Sequence, residues 1–276
     1  HRDLHSFPTR RSSDLIAIGA VLGILIALVA YYFRSLSKSG AVAAAALGAV
    51  VFGLGGLAHT VVLLAFFISS SLLSRLFKKQ KSTLDEKHAK GSRRDAGQVL
   101  ANGGVAGLVV LAQVFLPGET WLWWAYCASL AAANADTWAS ELGVLSKIDP
   151  RIITTWKQVE MGTSGGVTVT GTLAAAAGAA LIAVAGWVFH PSIWAFLPVI
   201  TLLGLFGSLV DSVLGATIQA VYRCPACQKE TERHPLHGCG APTSLIRGWK
   251  WLNNDWVNGF CTLSPVLVVA VFFLVS

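Results

Sequence analysis

Charged residues are scarce in this sequence, and this scarcity limits the class of protein to which it can belong. Only 13% of the 276 residues are charged and 54% are hydrophobic, with a mean hydropathy of +0.61. A soluble domain carries charge on about a quarter of its residues. Several apolar stretches also reach the ~20 residues that a helix needs to cross a bilayer. The composition therefore excludes an ordinary soluble domain and predicts a polytopic membrane domain.

Cysteines are few and unevenly distributed. There are five, at positions 127, 224, 227, 239 and 261, and three of them crowd one basic loop. An odd number with this distribution argues against a disulfide framework.

The first fifteen residues are set apart from the rest. His5 to Leu15 reads HSFPTRRSSDL, which back-translates readily into a common sequencing adapter. We therefore interpret residues 1–15 as an artefact and residues 16–276 as one membrane domain, and we expect the natural chain to begin upstream of Ile16. The alternative is a basic tail or the start of a signal peptide, which would also need a small-residue cleavage site.

The apolar segments predict an all-α bundle of about eight transmembrane helices, with seven as the alternative. They cover approximately residues 16–33, 40–55, 57–76, 97–116, 121–143, 166–188, 194–220 and 256–276. As one helix, the stretch from 40 to 76 would measure ~55 Å, far beyond the ~30 Å apolar core of a bilayer. Gly53, Gly55 and Gly56 favour a turn between its two halves.

Lys and Arg are absent from alternate turns, which predicts the orientation. Without Arg2, Arg10 and Arg11, eighteen of the 21 basic residues remain, and eight spans place all eighteen on one side. Short basic loops stay in the cytoplasm, so the loop at 221–250 is predicted to be cytoplasmic. We expect a prokaryotic plasma membrane, whose anionic lipids would meet this basic face, and no nucleic acid as a partner.

Polar residues inside the spans are candidates for function. An ionised group at the centre of a spanning helix costs ~2.5 to 3.5 kcal/mol on insertion scales, yet Asp136, Glu141 and Asp211 all lie within predicted spans. Measured from the helix ends, Asp136, Asp211 and Asn102 are ~11, ~14 and ~9 Å deep. We predict that they meet in one layer near the cytoplasmic side. Taken singly, each is as easily explained by an inter-helix hydrogen bond.

More polar groups connect this layer to the cytoplasmic mouth. Arg94 continues a stripe of polar residues at four-residue spacing that includes Asn102, and Asp255 and Asn258 stand at the start of the last span. Carboxylates with asparagine ligands can hold Mg²⁺, which bridges phosphate oxygens. The set favours phosphoryl or nucleotidyl transfer.

A glycine-rich stretch immediately precedes the sixth span. It consists of Gly162, Thr163, Ser164, Gly165 and Gly166. Exposed N–H groups at a helix start bind phosphate well, although the Lys of a Walker loop is absent. The stretch is either a phosphate cradle or a capped helix entry.

A metal site is predicted in the loop RCPACQKETERHPLHGCG at 223–240. Cys224, Cys227, Cys239 and His237 match the ligand set of a closed, structural zinc site. His234 is an alternative fourth ligand, and reduced cysteines without metal are the other alternative.

The order of the motifs resembles one family. The motifs are NGG at 102–104, NADTWASELG at 134–143, GTSGGVTVTGT at 162–172, GSLVDSVLGATIQ at 207–219, the CxxC loop and LNNDWVN at 252–258. They resemble the integral-membrane family long called domain of unknown function ninety-two, which includes eukaryotic transmembrane protein nineteen and the plant phytyl-phosphate kinase. The acidic and glycine-rich motifs also resemble those of CTP-dependent phytol and dolichol kinases, which implies CTP as the phosphate donor.

The resemblance and the polar layer together imply a CTP- and Mg²⁺-dependent kinase that converts an isoprenoid monophosphate to the diphosphate. Residues expected to hold Mg²⁺ or position the acceptor are Asp136, Glu141, Asp211, Asn102, Asp255 and Asn258. Residues expected to bind nucleotide phosphates are Gly162, Thr163, Ser164, Gly165, Gly166, Arg94 and Arg151. The alternative is a transporter or lipid flippase with intramembrane ion or proton sites, although no internal repeat is visible.

Overall fold

The computed structural model describes residues 9–77, 93–191 and 193–275, with side chains from residue 17 onward. Its helices within these ranges are α1 (Thr9–Tyr32), α2 (Lys38–Leu76), α3 (Ala96–Phe115), α4 (Thr120–Gly143), α5 (Val169–Trp187), α6 (Phe196–Thr217) and α7 (Asn254–Val275). The bounds of α3 to α7 lie within three residues of the predicted segments. Most of the basic loop that follows α2 lies outside the described residues.

Helix α2 reverses direction at Gly56, where the backbone leaves the helical region at φ 73° and ψ −161°. Glycine tolerates this conformation because it has no Cβ. As a straight rod the 39 residues would span ~58 Å, yet both ends of α2 meet the same loop. Ser37 caps the first turn, and the Arg75 guanidinium donates to the carbonyl oxygen of Phe33 at 2.6 Å. The two halves therefore run antiparallel, as the glycines in this stretch predicted.

Five helices, α2, α3, α5, α6 and α7, are long and apolar enough to cross a membrane by length and composition. This is fewer than the eight spans predicted. The apolar part of α1 is short, Ala17–Tyr32, and α2 is counted once although it reverses. The central helix α4 does not qualify, because it carries several polar residues. With the two halves of α2 taken separately, eight helical segments are present in the described residues.

Helix α4 forms the centre of the bundle, and every residue from Ala125 to Ala135 is buried. Small residues allow the close approach, since a Cβ on Gly204 or Gly207 of α6 would press against Ala131 or Ala132 of α4. Large apolar side chains face outward on the surrounding helices. Examples more than 60% exposed are Val42, Leu108, Leu173, Leu202 and Phe272. Such a surface is suited to contact with lipid.

Two small sheets supplement the predicted all-α bundle. Strands β1 (Arg151–Ile152) and β2 (Gly166–Val167) pair antiparallel between α4 and α5. Strands β3 (Val221–Arg223), β4 (Glu230–Thr231) and β5 (Ser244–Arg247) form an antiparallel sheet in the order β4-β3-β5. The second sheet folds the cysteine-rich segment 221–250 against the ends of the helices.

Every Lys and Arg from Arg34 onward that the structure describes lies at one end of the bundle, which we call the basic end. We predict that this end is cytoplasmic. A single cysteine replacing Lys147, in a background lacking the native cysteines, should then react with an impermeant reagent only from the cytoplasmic side of oriented vesicles. A cysteine replacing Glu119, at the opposite end, should react only from the other side. Labelling of both from the same side would contradict the predicted topology.

Candidate active site

A cavity of about 360 Å³ opens at the basic end, lined by the six helices α2 to α7 and by the loops before α5 and after α6. Its acidic residues are Asp136, Glu141, Asp211, Glu232 and Asp255. We call it the acid cavity. It brings together the predicted residues Asn102, Asp136, Glu141, Asp211, Asp255, Asn258, Gly162, Thr163, Ser164, Gly165, Gly166 and Arg94.

Arg151 does not line this cavity, so its predicted role in nucleotide binding is not supported by its position. Its side chain is exposed on β1, and its guanidinium donates to the carbonyl oxygen of Trp156 at 3.0 Å. The reason is the pairing of β1 with β2, which turns successive side chains to opposite faces.

Asp136, Asp211 and Asn102 line the cavity at similar distances from the ends of their helices. Asp136 lies seven residues before the end of α4 at Gly143, and Asp211 lies six residues before the end of α6 at Thr217. Asn102 lies six residues after the start of α3. These separations correspond to depths of ~9 to 11 Å. Asp211 is shallower than predicted because α6 ends at Thr217.

The carboxylates of Asp136, Asp211 and Glu232 lie close to one another in the acid cavity. The Oδ2 atom of Asp211 is buried and has no hydrogen-bond partner in the described part of the chain. Asp136 and Glu232 lie near enough to act electrostatically on Asp211. Like charges that are removed from water destabilise one another unless a counter-charge balances them. Oxygen ligands of this kind suit a hard divalent cation such as Mg²⁺.

Arg94 supplies positive charge at the edge of the cavity. It precedes α3, and burial lowers its pKa whereas nearby Glu141 acts in the opposite sense. An arginine stays protonated under these conditions. Glu141 is also held by α2, because Ser74 Oγ donates to its Oε1 at 2.7 Å. A cation and a carboxylate thus lie together at this side of the cavity.

The glycine-rich stretch is a tight turn packed between α6 and the start of α5. Gly162 and Gly165 have positive φ values of 79° and 81°, and a Cβ on Gly165 would collide with the backbone of Ala216. The N–H groups of Thr163 and Gly166 donate within the turn, at 3.2 and 2.9 Å. These two are therefore not available as the phosphate cradle that the sequence predicted. The N–H groups of Ser164 and Gly165 have no backbone acceptor in the described residues.

Glu232 is a cavity residue that the sequence did not predict. It follows β4 in the cysteine-rich segment, and its Oε1 accepts hydrogen bonds from Ser164 Oγ and Gln219 Nε2, both at 2.8 Å. It thereby joins this segment to the glycine-rich turn and to the end of α6. In the sequence, Glu232 stands among other charged residues of a polar loop, so no periodic pattern distinguishes it as a site residue.

We predict that Glu232→Gln weakens divalent-cation binding in the acid cavity by about tenfold, because it removes one negative charge beside Asp211. The measurement is titration of the purified protein with Mn²⁺ followed by electron paramagnetic resonance. Glu230→Gln is the matched control, since Glu230 forms a half-exposed ion pair with Arg223 at 3.3 Å. Equal Mn²⁺ affinity in both variants would show that Glu232 is not part of the cation site.

The predicted metal ligands are gathered in the cysteine-rich segment. The ligand atoms of Cys224, Cys227, His237 and Cys239 all lie within 4.8 Å of one another. Cys224 Sγ is 3.6 Å from Cys239 Sγ, and His237 Nδ1 is 3.2 and 3.7 Å from the Sγ atoms of Cys239 and Cys227. A tetrahedral zinc ion with Zn–S bonds of about 2.3 Å requires separations of about 3.3 to 3.8 Å. This cluster is able to hold a metal such as zinc.

Hydrogen bonds within the cluster shift the pKa values of two of its thiols in opposite directions. A hydrogen bond with His237 is the largest cause that lowers the pKa of Cys239 to about 6, whereas a hydrogen bond with Cys239 raises the pKa of Cys227 to about 11. Metal binding requires thiolates, so an easily ionised thiol promotes it. His234, the alternative ligand, instead stacks on Tyr222 at 4.5 Å between ring centroids.

These features define an integral membrane protein with a polar site sunk into one end of a helix bundle. The chain belongs to the family described as integral membrane protein DUF92, whose sequence profile matches residues 21–266. This confirms the family that the motifs predicted.

Relatives of the chain occur in a plant and in an archaeon. It is 34% identical over 268 residues to Protein PGR of Arabidopsis thaliana, covering 88% of this chain and 91% of that protein. It is 37% identical over 197 residues to an uncharacterized membrane protein of Methanocaldococcus jannaschii, covering 71% of this chain and 79% of that one. It is also 26% identical over 227 residues to the chloroplastic Protein VTE6 of Arabidopsis thaliana, covering 81% and 61%. No solved structure matches the chain.

Proposed function

We propose that this protein is a CTP- and Mg²⁺-dependent kinase that converts an isoprenoid monophosphate to the diphosphate at the cytoplasmic side of a membrane. The observation that carries the proposal is the gathering of carboxylates, asparagines and a glycine-rich turn in one cavity at the basic end. The family resemblance supports a prenyl-phosphate substrate. For the membrane, we propose the plasma membrane of a prokaryote.

The acid cavity fits a resident Mg²⁺ ion. Asp136 and Asp211 would hold it, with Glu141, Asp255 and the amides of Asn102 and Asn258 as further ligands or as partners of its waters. When bound, Mg²⁺ would neutralise charge on the phosphates during transfer. The buried Oδ2 atom of Asp211 is the observation that supports this fit most directly.

Phosphoryl transfer of this kind needs little covalent participation by protein side chains. A phosphate oxygen of the prenyl monophosphate attacks the γ-phosphorus of CTP, the bond from that phosphorus to the β-phosphate oxygen breaks, and CDP leaves. The nucleophile is already an anion, so no general base is required. The protein contributes by positioning the two substrates and neutralising their charge. Ser164, Gly165 and Arg94 line this cavity and would bind phosphate groups of the substrates.

An apolar part of the cavity wall provides a place for the prenyl tail. Leu205 and Leu209 of α6 and Ala175 of α5 line the acid cavity beside its polar residues. Leu209 is also 38% exposed. A substrate could thus keep its phosphate among the polar residues and its tail against this wall and the lipid.

The experiment that tests the proposal is incubation of the purified protein with CTP, Mg²⁺ and a panel of prenyl monophosphates of different chain length. We expect a prenyl diphosphate and CDP in equal amounts. The alternative function is transport or lipid flipping, in which the intramembrane carboxylates would serve as ion or proton sites. Absence of turnover across the panel, with proton-coupled uptake in reconstituted vesicles, would favour transport.

A further inference from the structure

A second cavity, of about 310 Å³, adjoins the acid cavity at the basic end. It lies where the loop after α1, the end of α2 and the start of α3 meet. Its lining residues are Phe33, Arg34, Ser35, Ser71, Ser74, Arg75 and Arg94. We call it the arginine pocket. It shares Ser74 and Arg94 with the acid cavity, so a ligand in one would lie beside a ligand in the other.

The lining of the arginine pocket provides hydrogen-bond donors and no carboxylate among the described residues. Three guanidinium groups carry fixed positive charge. Ser71 Oγ is buried and has no hydrogen-bond partner in the described part of the chain. A pocket lined by a hydroxyl donor and three arginines offers the kind of donors that bind a phosphate group.

One of the arginines, Arg75, is held in place before any ligand binds. Arg75 donates to the carbonyl oxygen of Phe33 at 2.6 Å and to Ser35 Oγ at 2.8 Å, and its guanidinium lies 5.1 Å from the centre of the Phe33 ring. Arg34 has a left-handed backbone with φ 58°, which is costly for a residue with a Cβ and is often found at functional sites. Both residues line the arginine pocket.

We propose that the arginine pocket binds a phosphate group of one of the two substrates, adjacent to the acid cavity. The inference rests on the proposed function for the identity of those substrates. The contact that joins the two cavities is the hydrogen bond from Ser74 to Glu141, at 2.7 Å, since Ser74 lines both. The phosphate belongs either to the nucleotide or to the prenyl monophosphate.

The test measures binding rather than turnover. CTP and a prenyl monophosphate are titrated separately, by isothermal titration calorimetry, into the purified full-length protein in a neutral detergent. Arg34→Gln is the informative variant. The Arg34 side chain makes no hydrogen bond within the described structure, so the substitution breaks none. We expect the dissociation constant for one of the two probes to rise by about tenfold or more, the effect of losing one charge-assisted contact. Arg34→Lys should recover part of the affinity.

Arg223→Gln is the matched control for net charge, because Arg223 lies at the basic end but away from both cavities. Weaker binding of CTP alone assigns the pocket to the nucleotide, and weaker binding of the prenyl monophosphate alone assigns it to the lipid. The proposal is overturned if Arg34→Gln binds both probes as tightly as wild type, or if Arg223→Gln weakens binding equally. It is also overturned if wild type binds neither probe, whereas binding without turnover would contradict only the proposed kinase activity.

Discussion

Asp136→Asn is expected to abolish phosphoryl transfer, with a loss of at least about 10²- to 10³-fold, while the protein remains folded. Asp136 lines the acid cavity and acts electrostatically on Asp211. Asparagine has nearly the same shape but no charge, so the cavity would lose affinity for Mg²⁺ and with it the charge neutralisation that transfer requires. The measurement is the initial rate of prenyl diphosphate formation, together with Mn²⁺ binding and the unfolding temperature.

The fold should tolerate this change, because it removes repulsion between neighbouring carboxylates. Asp149→Asn is the matched control, since Asp149 is an exposed residue of the loop after α4 that accepts a hydrogen bond from Gln158 at 2.7 Å. It should keep full activity. Normal turnover by Asp136→Asn would remove the central carboxylate from the mechanism.

Cys224→Ser is expected to abolish zinc binding, which we predict to be one ion per chain in wild type. A structural zinc site needs four protein ligands, and serine is a poor substitute for a thiolate. Cys224 is fully buried in the cluster, so the loss should also loosen the segment 221–250. Elemental analysis after purification without chelators measures the zinc content.

Cys127→Ala serves as the comparison for zinc, because Cys127 is buried in the centre of the bundle, away from the cluster. It should retain the wild-type amount. If wild type and Cys224→Ser carry equally little zinc, these residues do not form a zinc site.

Glu232 lies in the same segment as the zinc ligands and accepts a hydrogen bond from Ser164. Loss of zinc should therefore also weaken Mn²⁺ binding in the acid cavity.

The helices and most of the acid cavity could be predicted from the sequence because they follow from distances along a helix. Asp136, Asp211 and Asn102 lie at similar depths because each stands six or seven residues from a helix end, and each residue adds 1.5 Å. The reversal of α2 was also predictable, since glycines cluster where a straight helix would be too long to fit the membrane.

Contacts made by loops could not be predicted in this way. Glu232 reaches Ser164 across 68 positions of sequence, and only the folding of the cysteine-rich segment brings them together. Arg151 points away because of a strand pair of two residues, which is too short to leave a periodic signal. The central helix α4 departs from a simple apolar span for another reason. It is surrounded by other helices, so its polar residues need not face lipid.

The most direct test of the proposed kinase follows the phosphorus atoms of CTP. The purified protein is incubated with Mg²⁺, a prenyl monophosphate and CTP labelled at either the γ- or the α-phosphorus, and the lipid products are separated. We predict label in a prenyl diphosphate from γ-labelled CTP only, with the α-label remaining in CDP. Transfer of the α-label to the lipid would instead indicate nucleotidyl transfer, and no labelled lipid from either form of CTP would contradict the proposed activity.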